Sequence, residues 1–435
     1  MKNVLILTYY WPPGSSPGVQ RYLKFSKYLN KYNWNPIILT VEKGSHPSYD
    51  ETLLDDINQG TKVYKTKTRE PFKVYNFLKG SKGSNISMGM IGLNQKKSLF
   101  QKLSLFIRAN MFVPDARKGW FKYAVKEFES ILKENKIDAF ITTGPPMSVH
   151  LIGLAIKKKH NIPWVADFRD PWTSVYYNEY LPRIKRTKKL DKSYEDHVLK
   201  TADSVVVVTD GMKKEFMDRS KSIDVVYNGF DHEDIKNISS LKTNNFTISY
   251  VGNFKPNQNI YNLWDGIDEL IKDDKIDIED LEIEFTGNVD QEIIDYIKSK
   301  SFKNKLSVNK FSSHDIAVSK MIESNLLIFV IPQSNTQNLI IPGKLFEYLA
   351  SLSPILSIGP VNGDAANIIH SVNRDAMLSY DDKEGIKNNI IKYYDMWKNN
   401  NLKFIYDKSD ISNFSRLKLT NNLAKVLDKV YGQNN

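Results

Sequence analysis

The chain has 435 residues, 41% hydrophobic and 26% charged, with a net charge of +11 and no cysteine. That length exceeds one ordinary core and suits two domains, and the composition is that of a globular protein. Disulfides, thiolate zinc sites and a cysteine nucleophile are excluded, while the positive charge directs attention to phosphorylated substrates, anionic lipid or nucleic acid.

In chain order, the first apolar run is Val4-Leu5-Ile6-Leu7. It is too short for a signal-peptide core or a membrane span, and no later stretch approaches the ~18–20 apolar residues of a spanning helix. A cytoplasmic protein is therefore expected. Strands are predicted at 4–8, 36–41, 138–142, 163–168 and 204–209, with helices over 19–30, 118–134, 149–160 and 184–200. The second half repeats the pattern. Its strands are predicted at 247–251, 281–286, 306–311, 326–331 and 354–358, and its helices over 259–272, 291–300, 314–322, 342–351 and 383–398. Such alternation predicts an α/β protein with parallel sheets covered on both faces. Two doubly wound domains are expected, 1–235 and 246–412, joined through the polar, turn-rich segment 228–245. An amphipathic helix over 414–430 lies in the closing segment 413–435.

The charge is uneven. Residues 71–137 hold 13 Lys/Arg against 4 Asp/Glu, and Arg183-Ile184-Lys185-Arg186-Thr187-Lys188-Lys189 is a second basic run. Gly80–Gly92 is glycine-rich and reads as a loop. Ser98–Phe112 reads as a basic amphipathic helix carrying Leu99, Phe100, Leu103, Leu105, Phe106 and Met111. Two readings fit it: a helix lying on an anionic membrane, or a surface helix packed on the core.

Doubly wound sheets bind ligands at the carboxyl ends of their strands, so the loops there carry the chemistry. After the first strand, Gly14 and Gly18 lead into a helix whose N-terminus suits a phosphate. The spacing is not the dinucleotide Gly-x-Gly-x-x-Gly, and a plain connecting turn is the alternative. His150 follows Gly144-Pro145-Pro146 inside a helix, as a catalyst or a structural hydrogen-bonder. In Asp167-Phe168-Arg169-Asp170-Pro171-Trp172, Asp170 can serve as a base or orient a hydroxyl, and Arg169 can hold phosphate. A structural Asp–Arg pair is the other reading, and it is favoured for Asp167. Asp-x-x-Asp is not a metal motif, so no metal is inferred.

In the second half, Gly252-Asn253 and Gly287-Asn288 end equivalent strands, where a nucleotide can lie against backbone. Pro342-Gly343-Lys344-Leu345-Phe346-Glu347-Tyr348 starts a helix. A cation at that positive end is unfavourable without an anion, which a diphosphate supplies, and Glu347 one turn on can accept ribose hydroxyls. An exposed Lys344–Glu347 pair is the plain alternative.

Taken in order, Tyr10-Trp11-Pro12-Pro13 with Gly18, Pro114-Asp115-Ala116-Arg117, Gly144-Pro145-Pro146, Asp167–Trp172, Tyr227-Asn228-Gly229-Phe230-Asp231 and Pro342–Tyr348 resemble a known family. It is that of the retaining GT-B glycosyltransferases, family 4-like, that build bacterial capsule, O-antigen and other surface polysaccharides. The resemblance implies two Rossmann-like domains facing across a cleft, with the nucleotide-sugar donor mainly on the second and the acceptor mainly on the first. It also implies a final helix that crosses back to the first domain, retention of anomeric configuration, and no metal. The donor it implies is a UDP- or GDP-sugar, and the acceptor a glycan or polyprenyl-diphosphate-linked sugar. The expected site comprises Asp170, His150 and Arg169 for catalysis and Gly18, Gly252, Asn253, Gly287, Lys344 and Glu347 for the donor.

The sequence departs from the family's Glu-x7-Glu: Glu347 matches the second position, but Leu339 occupies the first. Lys255 is the nearest match to the family's basic pair, and Lys344 is a candidate substitute phosphate ligand. The basic first half adds an anionic membrane surface as an expected partner, at the inner face of the cell membrane. Other classes sharing some of these features are a GT-B epimerase or phosphorylase and a nucleic-acid binder, but no nucleic-acid recognition module is visible and no such partner is expected.

Overall fold

The computed structural model describes residues 1–46, 48–70, 99–235, 244–310, 313–402 and 406–433. The glycine-rich segment 80–92 lies outside them, as do the side chains of Leu99 and Phe100. The chain forms two compact units. One comprises Met1–Tyr227 with Leu419–Asn435, and the other Asn228–Lys418.

The first unit is a seven-stranded sheet of β1 (Lys2–Leu7), β2 (Trp34–Val41), β3 (Lys62–Thr66), β4 (Ala139–Gly144), β5 (Trp164–Phe168), β6 (Ser204–Val207) and β7 (Ile223–Val225). All pairings are parallel and the spatial order is β3-β2-β1-β4-β5-β6-β7. Its helices are α1 (Pro17–Leu29), α2 (Leu99–Met111), α3 (Phe121–Glu134), α4 (Ser148–Lys159), α5 (Lys185–Thr201) and α6 (Asp210–Phe216). In the second unit, β8 (Phe246–Val251), β9 (Leu281–Thr286), β10 (Leu306–Asn309), β11 (Leu326–Val330) and β12 (Ile355–Ile358) form a parallel sheet ordered β10-β9-β8-β11-β12. Around it lie α7 (Tyr261–Lys272), α8 (Gln291–Lys298), α9 (His314–Glu323), α10 (Lys344–Ser351), α11 (Asp364–Ser371) and α12 (Lys383–Lys398). The last helix, α13 (Arg416–Gln433), runs from the second unit into the first.

Alternation within single strands explains the two-sided cover. Leu5 and Leu7 enter one core with Trp120, Phe128 and Trp164. Val4 and Ile6 enter the other, with Tyr22, Phe25 and, from α13, Leu423, Leu427 and Val430. A strand apolar on both faces has no solvent side and sits centrally in a parallel sheet. The second unit has its own core around Ile248, Tyr250, Phe254, Trp264 and Phe285.

Sequence spacing did not reveal β3, β7 or the seven-residue α6. β3 and β7 are sheet edges, and their residues are mostly only half-buried, so neither carries a continuous apolar run. In each sheet the strand order reverses beside the first strand, between β1 and β4 and between β8 and β11. That reversal opens a crevice at the carboxyl ends of the strands, where such sheets take their ligands.

Candidate active-site residues

In the second unit, α10 begins at Lys344, with Gly343 as N-cap, and Pro342 lies in the turn before it. The helix is fastened to the end of β8 by Tyr348, whose hydroxyl accepts from the Val251 N–H at 2.8 Å and donates to the Val251 carbonyl at 3.2 Å. This attachment places Lys344 over the turn after β8. Its Nζ lies 3.7 Å from the centroid of the Tyr250 ring, and a Cβ on Gly252 would come within 3.2 Å of it. Gly252 has φ +118° and Gly287 φ +124°, and a Cβ on Gly287 would sit 2.5 Å from the Gly252 carbonyl oxygen. Both turns therefore require glycine. Asn253 is exposed, and its side-chain oxygen accepts from Asn288 at 3.2 Å.

The Lys344 ammonium is buried without a hydrogen-bond acceptor. Burial draws its pKa down to about 7; the Glu347 carboxylate counters this and the Lys255 charge adds to it. The two residues of the Lys344–Glu347 spacing do not form an ion pair; the amine turns inward to Tyr250. A buried cation at a positive helix end is costly, and an entering anion relieves that cost. Glu347 is half-buried and makes no hydrogen bond among the described residues. It faces His314, which hydrogen-bonds Asp234 at 3.2 Å. Burial lowers the pKa of His314, but the Asp234 bond and the Glu347 charge more than offset that and leave it raised. Leu339 ends the short turn Gln337–Leu339 and is half-buried.

Gly252, Asn253, Gly287 and Lys344 are thus brought to one corner of the second unit, with Glu347 one turn further along α10. Sequence reasoning missed Tyr250 and Tyr348. Both are aromatic residues inside predicted elements, where the ordinary reading is core.

In the first unit, Asp167 at the end of β5 is fully buried. It receives the Arg21 guanidinium at 2.6 Å and the Thr143 hydroxyl at 2.8 Å. The pair is structural, as favoured for Asp167, but its cation is Arg21 of α1 and not the adjacent Arg169. Arg169 instead donates to Thr143 Oγ1 at 2.7 Å and to the Pro145 carbonyl. A Cβ on Gly18 would stand 2.9 Å from its Nη2. The open side of Gly18, expected to admit a phosphate, is occupied by this guanidinium.

Asp170 follows and makes no hydrogen bond or ion pair among the described residues. Burial raises its carboxyl pKa, with the Arg169 charge opposing. Beyond Pro171, the residues Trp172, Thr173 and Ser174 are held by three carboxylates. Trp172 Nε1 donates to Asp191 at 2.8 Å, the Thr173 N–H to Glu195 at 2.9 Å, and the Ser174 hydroxyl to Glu215 at 2.6 Å. The loop is thereby fixed while the Asp170 carboxylate stays free to bind.

His150 does not join this group. It is fully buried, its ring stacked on Phe168 at 4.3 Å between centroids, with Nδ1 2.8 Å from Thr142 Oγ1. Burial, followed by the Arg169 charge, lowers its pKa to about 3. The ring packs on Phe168 and bonds Thr142, the structural hydrogen-bonding role of the two, while its Nε2 meets no hydrogen-bond partner among the described residues. Asp115 of the Pro114-Asp115-Ala116-Arg117 segment is likewise structural: it accepts from the Ser148 N–H and hydroxyl, both at 2.8 Å, at the start of α4.

These two units define the class: an α/β protein of two Rossmann-like domains, the GT-B architecture. Residues 93–234 match the model of Glycosyltransferase Family 4. The fold is similar to a sucrose-phosphate synthase from Thermosynechococcus elongatus, with TM-score 0.60, 10% identity and all of both chains covered. It is also similar to a lipopolysaccharide outer core galactosyltransferase, with TM-score 0.56, 14% identity and 99% of each chain covered. A putative UDP-N-acetylglucosamine 2-epimerase from Listeria monocytogenes gives TM-score 0.55 and 10% identity over 100% of this chain and 98% of that one. No curated protein matches the chain by sequence. Family match and fold together make the chain a glycosyltransferase.

Proposed function

We propose that this glycosyltransferase moves a sugar from a UDP- or GDP-sugar to a glycan or polyprenyl-diphosphate-linked acceptor in surface-polysaccharide synthesis, with retention of anomeric configuration. The carrying observation is the buried, unpartnered Lys344 ammonium beside the glycine turns of β8 and β9. A nucleoside diphosphate fits this chemistry: its backbone lies against Gly252 and Gly287, its negative charge meets Lys344, and its ribose reaches Glu347.

As the anomeric carbon–phosphate oxygen bond breaks, charge accumulates on the departing diphosphate. A preorganised ammonium and helix end stabilise that charge without a metal. The acceptor oxygen forms the new bond to the anomeric carbon and passes its proton to the departing diphosphate oxygen. Asp170, a carboxylate of raised pKa beside the Arg169 cation, orients that hydroxyl in this reading.

Isothermal titration calorimetry with UDP and GDP, after a thermal-shift panel of nucleotide sugars, tests the assignment. Lys344→Ala and Glu347→Ala are expected to weaken binding by at least about tenfold each. Unchanged affinity in both variants sinks it. The epimerase reading remains distinguishable by product: a free isomerised sugar formed without any acceptor.

A further inference from the structure

Four segments of the second unit meet around Glu347. α10 carries it, between Phe346 and Tyr348. The Phe346 ring packs against Phe414 at 5.4 Å between centroids, and Tyr348 is fastened to Val251. The Phe414 backbone is held in turn by the opening segment of the unit. The Phe230 N–H donates to the Phe414 carbonyl at 3.1 Å, and the Arg416 N–H donates to the Phe230 carbonyl at 2.8 Å. Shortly beyond Phe230, the Asp234 carboxylate accepts from His314 Nε2 at 3.2 Å. His314 opens α9, which packs against α10. The neighbours of Glu347 are thus fixed on both sides, while its own carboxylate makes no hydrogen bond among the described residues.

His314 is placed against its ordinary preference. It is the first residue of α9, whose N-cap Ser313 makes no side-chain capping bond, and the helix dipole repels a cation at that end. Burial disfavours its charge, and so does Arg416; the Asp234 bond and the Glu347 charge outweigh both and hold its pKa above the ordinary value. Tying the opening segment to α9 needs Asp234 alone. That tie does not account for Glu347, a half-buried carboxylate that faces a histidine already fixed from its other side.

We propose that His314, fixed by Asp234, is a positioning residue that orients the Glu347 carboxylate toward the two ribose hydroxyls of the donor. The proposal rests on the donor-site reading above. A carboxylate accepts both hydroxyls only when its two oxygens face them together. Attraction to a neighbouring fixed cation reduces the rotamers that Glu347 samples, so the ribose meets an acceptor already in place.

The test compares UDP and GDP with their 2′,3′-dideoxy analogues by isothermal titration calorimetry on the full chain, at pH 6, below the ordinary histidine pKa. The wild-type chain is expected to favour the ribose form by at least about tenfold, the worth of one hydrogen bond to a charged group. His314→Gln and Asp234→Asn are each expected to lower that preference by about three- to tenfold, and to change affinity for the dideoxy form by less than about twofold. Added to Glu347→Ala, His314→Gln is expected to have no further effect on either ligand. Melting curves verify folding, and the isosteric Asp234→Asn carries the test where His314→Gln does not fold. Equal losses for both ligand forms, a loss that persists in full beside Glu347→Ala, or an unaltered preference in both single variants overturns the proposal. Failure of the donor-site reading looks different: a wild-type chain that does not distinguish ribose from dideoxyribose removes the role of Glu347, and the proposal falls with it. The dideoxy analogues also isolate the pH dependence that belongs to Lys344, because they lack the hydroxyls through which His314 acts.

Discussion

Lys344 ties the proposed donor site to pH. Its Nζ is buried without an acceptor, and burial lowers its pKa from 10.5 to about 7. That difference corresponds to roughly 5 kcal/mol by which the free protein disfavours the ammonium. The unfolded chain holds this proton between about pH 7 and 10.5 while the folded free protein does not, so stability rises with pH across that window. A bound diphosphate reverses the preference and restores the charge. Binding therefore takes up a proton above pH 7, and the apparent Kd for UDP or GDP is expected to climb by up to about tenfold per pH unit between pH 7 and 9. Lys344→Met removes the slope. It weakens binding at pH 7 by about 10- to 100-fold, the worth of a charged hydrogen bond. It also raises the melting temperature of the free protein, because an unpaired buried cation has been replaced by a thioether of similar length. Calorimetry at pH 7, 8 and 9, in buffers of different ionisation enthalpy, reads both affinity and proton uptake. A wild-type Kd flat across that range, or a Lys344→Met variant that keeps the slope, refutes the reasoning.

Asp170→Asn is expected to lower kcat by about 10²–10⁴-fold while leaving thermal stability unchanged or slightly increased, since the carboxylate has no structural partner; a steady-state assay beside a melting curve checks both. Gly287→Ala forces a positive-φ alanine against the Gly252 carbonyl and is expected to cost at least about 2 kcal/mol in urea unfolding, with loss of nucleotide binding. Asp167→Ala strands the buried Arg21 and is expected to cost about 3–5 kcal/mol; the double variant Arg21→Met, Asp167→Leu recovers most of that, measurable by thermal denaturation.

The central strands were legible because Val4–Leu7, Leu326–Val330 and their counterparts are apolar at every position, and only a strand covered on both faces tolerates that. The edges of the first sheet were not, since Lys62–Thr66 is half-wet and resembles a loop. The site divides in the same way. Gly252, Gly287 and Lys344 were readable as residue types at strand and helix ends. What Lys344 meets was not, because its inward turn depends on Tyr250, a core residue by any local pattern. The cation that pairs with Asp167 was hidden for a related reason. Adjacency in sequence suggested Arg169, whereas the true partner of Asp167, Arg21, lies 146 residues away. The stacked, buried state of His150 likewise depends on Phe168 and on close contact with Gly144, neither of which spacing reveals.

The passage of α13 from one unit to the other has a consequence for biosynthesis. Leu423, Leu427 and Val430 belong to the same core as Val4 and Ile6, so β1, made early, waits for α13, made late. The second unit, Asn228–Lys418, is contiguous and can close as soon as it is made. The first unit must pass through translation with one face of its sheet packed by α1 but still lacking α13. Ribosome stalling before residue 419 would release a chain whose later-made half is folded and whose earlier-made half is the chaperone client.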